Sequence, residues 1–106
     1  MAKSKNINTE PIYEVSFNGT QCWRLNGRRH RLDGPALEIT TGTKIWYKNG
    51  KRHREDGPAI EYTDGEKRWF LNGRHLNVEE SINNVYLKRK YPRLIQSMVI
   101  YSVHES

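Results

Sequence analysis

The chain has 106 residues, a length that fits one small domain. Hydrophobic residues make up 35% of it, below the usual share, so three Trp, six Tyr and two Phe must supply much of a thin core. The formal net charge of +6 favours an acidic partner, either nucleic acid or a protein surface, without choosing between them. A single cysteine, Cys22, excludes an internal disulfide, and no apolar run is long enough for a membrane span.

An internal repeat with a period of 23 residues dominates the sequence. Trp23, Trp46 and Trp69 each open a W-x-x-N-G unit. The heptad H-R-x-D-G-P-A occurs twice, at residues 30–36 and 53–59, and the third unit ends without it. A second group of turn dipeptides keeps the same period: Asn18-Gly19, Thr41-Gly42 and Asp64-Gly65. Because a structural unit is copied whereas a catalytic group is needed once, this repetition indicates architecture.

Turn chemistry predicts a sheet made of repeated hairpins. Asn-Gly and Asp-Gly adopt positive φ at low cost, and the runs between them are rich in Trp, Tyr, Ile and Thr, which suit strands. In the heptad, Asp, Gly and Pro turn the chain and Ala begins the next strand. We therefore expect an antiparallel meander over residues 12–77, after a flexible N-terminal tail of residues 1–11. The predicted strands are residues 13–17, 21–25, 36–40, 44–48, 59–63 and 67–71.

The period changes after residue 77, which indicates helix. Asn77 is a candidate N-cap, and apolar residues recur at helical spacing along residues 78–86. Pro92 breaks or restarts this helix, and the apolar tail of residues 94–101 fits either a second helix or a strand. Residues 78–106 are predicted to form a helical cap. The expected fold class is mainly β with C-terminal α, an antiparallel meander of repeated hairpins capped by one or two C-terminal helices.

The longer form of the repeat, W-Y-x-N-G-K-x-H-R-x-D-G-P-A, lies at residues 46–59. It resembles a MORN-like repeat variant of small proteins from large tailed bacteriophages. The resemblance covers roughly residues 17–80, and residues 81–106 lie outside it. It implies an elongated antiparallel sheet and a phage-encoded protein that acts in the host cytoplasm.

Histidines are the first candidates for chemistry. His30 and His53 each lie three residues before an Asp, but no nucleophile has a fixed place beside them, so catalysis is disfavoured. Zinc ligands cluster at short spacings, whereas His30, His53, His75 and His104 are 23, 22 and 29 residues apart. We expect structural or surface roles for His30 and His53, and we predict no catalytic residue, cofactor or metal. The chain is predicted not to be an enzyme.

Basic and aromatic residues carry the predicted binding function. Arg31 and Arg54 recur at one place in each unit, which predicts a basic stripe that is either a solvated face or an edge that follows phosphates or an acidic protein. The Trp ladder is either core or a stacking surface, and the basic segment of residues 88–93 is either a solvated helix end or a contact patch. The predicted partner-binding residues are Arg31, Trp46, Arg54, Trp69, Lys88, Arg89, Lys90 and Arg93.

The function expected from these features is binding without catalysis. The phage resemblance implies an accessory protein that binds a host defence or regulatory protein and blocks or modulates it. One alternative is nucleic-acid binding through the repeated basic edge. Another is self-assembly, with a homo-oligomer formed through residues 94–106. No membrane contact is expected.

Overall fold

The chain folds into an elongated antiparallel sheet followed by helices. The principal dimensions of the whole fold are 56 × 33 × 18 Å. The structure is a computed structural model that describes the backbone of residues 9–105 and the side chains of residues 9–103. It confirms the predicted fold class, a β meander with a helical C-terminus. Residues 1–8 of the predicted N-terminal tail lie outside the described residues.

The strands form one main sheet and two separate two-stranded hairpins. The strands are β1 (Ile12–Val15), β2 (Gln21–Leu25), β3 (Arg28–Arg29), β4 (Leu37–Glu38), β5 (Lys44–Ile45), β6 (Tyr47–Lys48), β7 (Lys51–Arg52), β8 (Ile60–Glu61), β9 (Lys67–Arg68), β10 (Phe70–Leu71) and β11 (Arg74–His75). The main sheet has the order β1-β2-β4-β5-β8-β9, with β3 also paired to β2, and the hairpins are β6–β7 and β10–β11, all antiparallel.

The second and third repeats leave the main sheet at their Trp. The predicted strand at residues 44–48 is divided at Trp46 into β5 and β6, and the strand at residues 67–71 is divided at Trp69 into β9 and β10. The predicted strand at residues 21–25 is instead continuous through Trp23 as β2, and β3 stays in the main sheet. Trp23 and Trp46 nevertheless make the same pair of backbone bonds, Trp23 with Ala36 and His30, and Trp46 with Ala59 and His53.

Tight turns close the hairpins as predicted. Asn26, Asn49 and Asn72 have φ between 50° and 52°, and the Gly that follows each has φ between 82° and 84°. Positive φ at both central residues defines a type I′ turn, whose twist matches paired strands. The strands that return from these turns, β3, β7 and β11, were not predicted from the sequence, because their short basic runs do not alternate with apolar residues.

The main apolar cluster lies on the face of the sheet that carries Ile45, and Trp46 packs against its edge. Ile45, Tyr47 and Phe70, which alternation places on that face, are all buried there. Ala36 and Ala59 are fully buried in the same cluster, so the last residue of each heptad packs where a larger side chain would not fit.

Three helices follow the sheet: α1 (Val78–Ile82), α2 (Val85–Lys90) and α3 (Pro92–Glu105). The Asn77 side chain accepts from the Glu80 N–H at 2.9 Å, which confirms the predicted N-cap. Asn84 caps α2 by accepting from the Leu87 N–H, so the predicted helix at residues 78–86 is divided in two. Pro92 begins α3, and the apolar tail is therefore helix and not strand.

Helix α3 closes the C-terminal end of the sheet. Its Leu94 and Met98 side chains are fully buried against Trp69, whose indole N–H donates to the Ser97 hydroxyl at 2.9 Å. The apolar tail thus packs against its own chain through these residues, as expected of a cap, and self-assembly through residues 94–106 stays a prediction. Within residues 9–105, no helix is both long enough and apolar enough to cross a membrane.

Candidate functional site

The two heptad histidines link successive repeats. His53 Nδ1 accepts a hydrogen bond from the backbone N–H of Asn72 at 2.8 Å, and His30 Nδ1 accepts from the N–H of Asn49 at 3.0 Å. Each acceptor residue thus belongs to one unit and each donor to the Asn-Gly turn of the next. Both rings are buried. Each copy of the heptad thus makes the same joint between units, a His ring that accepts a hydrogen bond from the Asn-Gly turn of the next unit.

These hydrogen bonds define the proton position on the His53 ring. A ring nitrogen that accepts from a backbone amide carries no proton, so neutral His53 must be protonated on Nε2. That nitrogen lies 2.8 Å from Glu55 Oε2 and donates to it. Both ring nitrogens are therefore engaged. Among the described residues, no three His, Cys, Asp or Glu side chains gather in a way that could hold a metal ion.

The heptad arginines cover the Trp side chains. The Arg54 guanidinium lies 3.9 Å from the Trp46 ring centroid, a cation–π distance. Its Nε donates to Asp56 Oδ1 at 3.0 Å, and its Nη1 donates to the Pro58 carbonyl and to Glu61 Oε2, both at 3.1 Å. The first heptad repeats most of this arrangement.

In that first heptad, the Arg31 guanidinium lies 4.0 Å from the Trp23 ring centroid and donates to Asp33 and to the Pro35 carbonyl. Both heptad arginines thus have carboxylate partners. Their positive charges are largely neutralised inside the fold, so they contribute less to a basic stripe than their spacing predicts.

A groove runs between the two heptad loops and the corner where α2 meets α3. We call it the heptad groove; its volume is about 860 Å³. It brings together five of the eight predicted binding residues, three from the repeat and two from the helices that follow it. The predicted residues that line it are Arg31, Trp46, Arg54, Lys90 and Arg93.

Three further cations in the heptad groove lack a carboxylate partner among the described side chains: Lys48, Lys90 and Arg93. Lys48 and Lys51 occupy directly opposite positions on β6 and β7, so two like charges face each other. The hydrogen bond that the Lys90 ammonium donates to the Tyr86 hydroxyl raises the pKa of Lys90 above its ordinary value. The groove therefore has positive charge on both sides.

The other predicted binding residues lie elsewhere. Trp69 is only 1% exposed beneath α3 and belongs to the core. Lys88 and Arg89 are exposed on α2 but do not line the heptad groove. Sequence reasoning missed Lys48, although one signal marks it, because the first and third units carry Leu25 and Leu71 at the corresponding position.

The chain matches no protein-family model, no curated protein and no solved structure. Its MORN-like character therefore stays a prediction that the repeat alone supports.

Proposed function

We propose that this protein is a non-enzymatic binding module that holds a partner protein in the heptad groove. The observation that carries the proposal is the groove itself, which Trp46 lines together with cations from two separate parts of the chain, Lys48 from the sheet and Arg93 from α3. Neither cation has a carboxylate partner among the described side chains. The heptad histidines and arginines support it indirectly, since their polar atoms are engaged in holding the repeat together.

The phage resemblance of the repeat supports a more specific proposal. The partner is a host protein, a defence or regulatory factor, and the phage-encoded protein acts in the host cytoplasm. The mechanism is occlusion, in which the bound module blocks a surface that the host factor needs. A preformed sheet suits this role because it loses little conformational entropy when it docks.

Affinity purification from nuclease-treated host lysate tests the proposal. The variant Lys48→Glu/Arg93→Glu reverses two charges inside the heptad groove. The matched control Arg28→Glu/Arg74→Glu reverses two exposed charges outside it. We expect one defined partner to be retained by the native chain and the control and lost by the groove variant. Retention by all three proteins, or loss from both variants alike, would contradict the proposal.

One observation favours nucleic-acid binding as a second candidate function. The stem of Arg28 packs beside Gly50 and that of Lys51 beside Gly73, so the basic residues after successive Asn-Gly turns follow one another along one edge. Within the described part of the chain, neither Arg28, Lys51 nor Arg74 pairs with a carboxylate. Such a row predicts binding to single-stranded DNA that weakens steeply with salt and fails in the Arg28→Glu/Arg74→Glu variant. Unchanged DNA affinity in that variant would remove this candidate.

A further inference from the structure

We infer that the heptad groove recognises an acidic, extended segment of its partner protein. This inference rests on the proposed function and adds the chemistry of the ligand. It depends on three features of the groove: cations from two parts of the chain that have no carboxylate partner among the described side chains, apolar side chains in the same lining, and carboxylates that discriminate among anions.

On one side of the groove, the charge of Lys48 destabilises the β6–β7 hairpin. In the first and third hairpins an apolar Leu25 or Leu71 faces a cation, whereas in the second hairpin Lys48 faces Lys51. Like charges directly opposite each other destabilise a strand pair. A carboxylate bound beside Lys48 would relieve this repulsion, so an anionic ligand fits this side of the groove.

The opposite side is also positive. Lys90 ends α2, and Arg93 lies in the first turn of α3. That turn contains no acidic residue, so the chain itself does not neutralise the positive end of the 14-residue helix dipole. Two carboxylates of one ligand, spaced along an extended chain, would meet cations on both sides.

Apolar side chains line the groove together with the cations. Leu32 is 74% exposed at the groove, and Trp46, Tyr91 and Pro92 also line it. Apolar side chains of a ligand would bury surface here at about 25 cal/mol per Å². The site therefore suits a segment in which acidic and apolar residues are mixed.

Carboxylates in the heptad loops argue against a nucleic acid in the same groove. Asp33, Glu55 and Asp56 all line it, and Glu55 is the one of the three that is paired with no arginine, since it bonds to the His53 ring. A phosphate backbone carries a charge at every nucleotide and must place some of them near these carboxylates. A peptide can place neutral residues there instead, and this repulsion of the wrong ligand gives specificity.

Fluorescence anisotropy tests the inference directly. The probe is a short fluorescein-labelled peptide in which Glu alternates with Phe, and the comparison probes are its Lys-for-Glu counterpart and a labelled oligothymidylate. We expect saturable binding of the Glu peptide and no binding of the Lys peptide. Binding should weaken about tenfold or more in Lys48→Glu/Arg93→Glu and change less than about twofold in Arg28→Glu/Arg74→Glu, because only the first pair reverses charges in the groove.

The outcomes separate the inference from the proposed function. If the Glu peptide fails to bind while purification still yields a partner that depends on Lys48 and Arg93, the acidic-segment inference is wrong and the docking site stands. If both variants weaken the Glu peptide equally, the attraction is non-specific charge and the inference is overturned. Binding of oligothymidylate that is lost in the groove variant also overturns it.

Discussion

Trp46 and Trp69 hold the same position in successive repeats but differ in what lies over them. Trp69 is covered by α3, with Leu94 and Met98 packed against it and its indole bonded to Ser97. Trp46 is covered by the Arg54 guanidinium and remains half-buried at the edge of the heptad groove. The repeat thus supplies one Trp per unit, and the segment that follows decides whether that Trp becomes core or surface.

The comparison explains how a structural repeat produces a single binding site. Two heptads that differ only at Leu32 and Glu55 build two similar joints, so neither joint is unique. In the groove, the segment from Lys90 to Arg93 shares the lining with Trp46, the Trp of the second unit. Asymmetry at the end of the array therefore defines the site, whereas the repeat supplies its rigid floor.

The largest expected effect on stability comes from removing Trp69, the Trp that α3 covers. Trp69→Ala removes a fully packed side chain and the indole hydrogen bond to Ser97, and we expect the free energy of unfolding to fall by about 3–5 kcal/mol. Trp46→Ala should cost clearly less, because that ring is only half-buried. Urea unfolding measures both variants, and equal losses would contradict the distinction between the two residues.

A smaller effect concerns the joint between the two units that carry these Trp residues. His53→Ala removes a buried imidazole together with the acceptor of the Asn72 N–H, which should lower the free energy of unfolding by about 1–3 kcal/mol. His75→Ala is the matched control, since His75 is exposed in the third unit, which lacks the heptad. It loses a cross-strand ring contact with Phe70, so stability should fall by no more than about 1 kcal/mol. A His53 variant as stable as the His75 variant would show that the joint does not hold the repeat together.

The next largest effect on stability comes from Arg54, whose guanidinium covers the Trp46 ring. Arg54→Met keeps the length of the side chain but loses the cation–π contact and the bond to the Pro58 carbonyl, and we expect a loss of about 1–2 kcal/mol. Arg89→Met, on the exposed face of α2, serves as the control. Thermal unfolding of the two variants decides the matter, and indistinguishable midpoints would remove the proposed role of Arg54.

The smallest effect has opposite signs for stability and binding. Lys48→Glu replaces a repulsive pair with an attractive one opposite Lys51, and it should raise the free energy of unfolding by about 0.2–1 kcal/mol. The same change should weaken binding of the Glu peptide. A variant that is both less stable and weaker in binding would indicate structural damage instead of a lost contact.

Local chemistry made much of the fold predictable from the sequence. The Asn-Gly turns, the alternation that buries Tyr47 and Phe70, and the Asn77 cap each depend on a few neighbouring residues. The division of strands at Trp46 and Trp69 was missed because the three units carry the same local pattern around their Trp, whereas β2 is continuous through Trp23.

The candidate site was only partly predictable for a related reason. The basic and aromatic residue types were visible in the sequence, but nothing local distinguishes Trp46 from Trp69. Their difference arises from where α3 packs, which is a tertiary contact across 25 or more residues. Spacing also did not reveal that Arg31 and Arg54 are neutralised by Asp33 and Asp56.

The indole N–H signals of the three Trp residues in a ¹⁵N-labelled sample provide the most direct test of the account. During titration with the Glu peptide, the Trp46 signal should shift saturably while the Trp69 signal stays in place, because only Trp46 lines the heptad groove. A stationary Trp46 signal at saturating peptide, or a shift of Trp69 in its place, would contradict the claim that the repeat builds the fold and the groove beside its second unit binds the ligand.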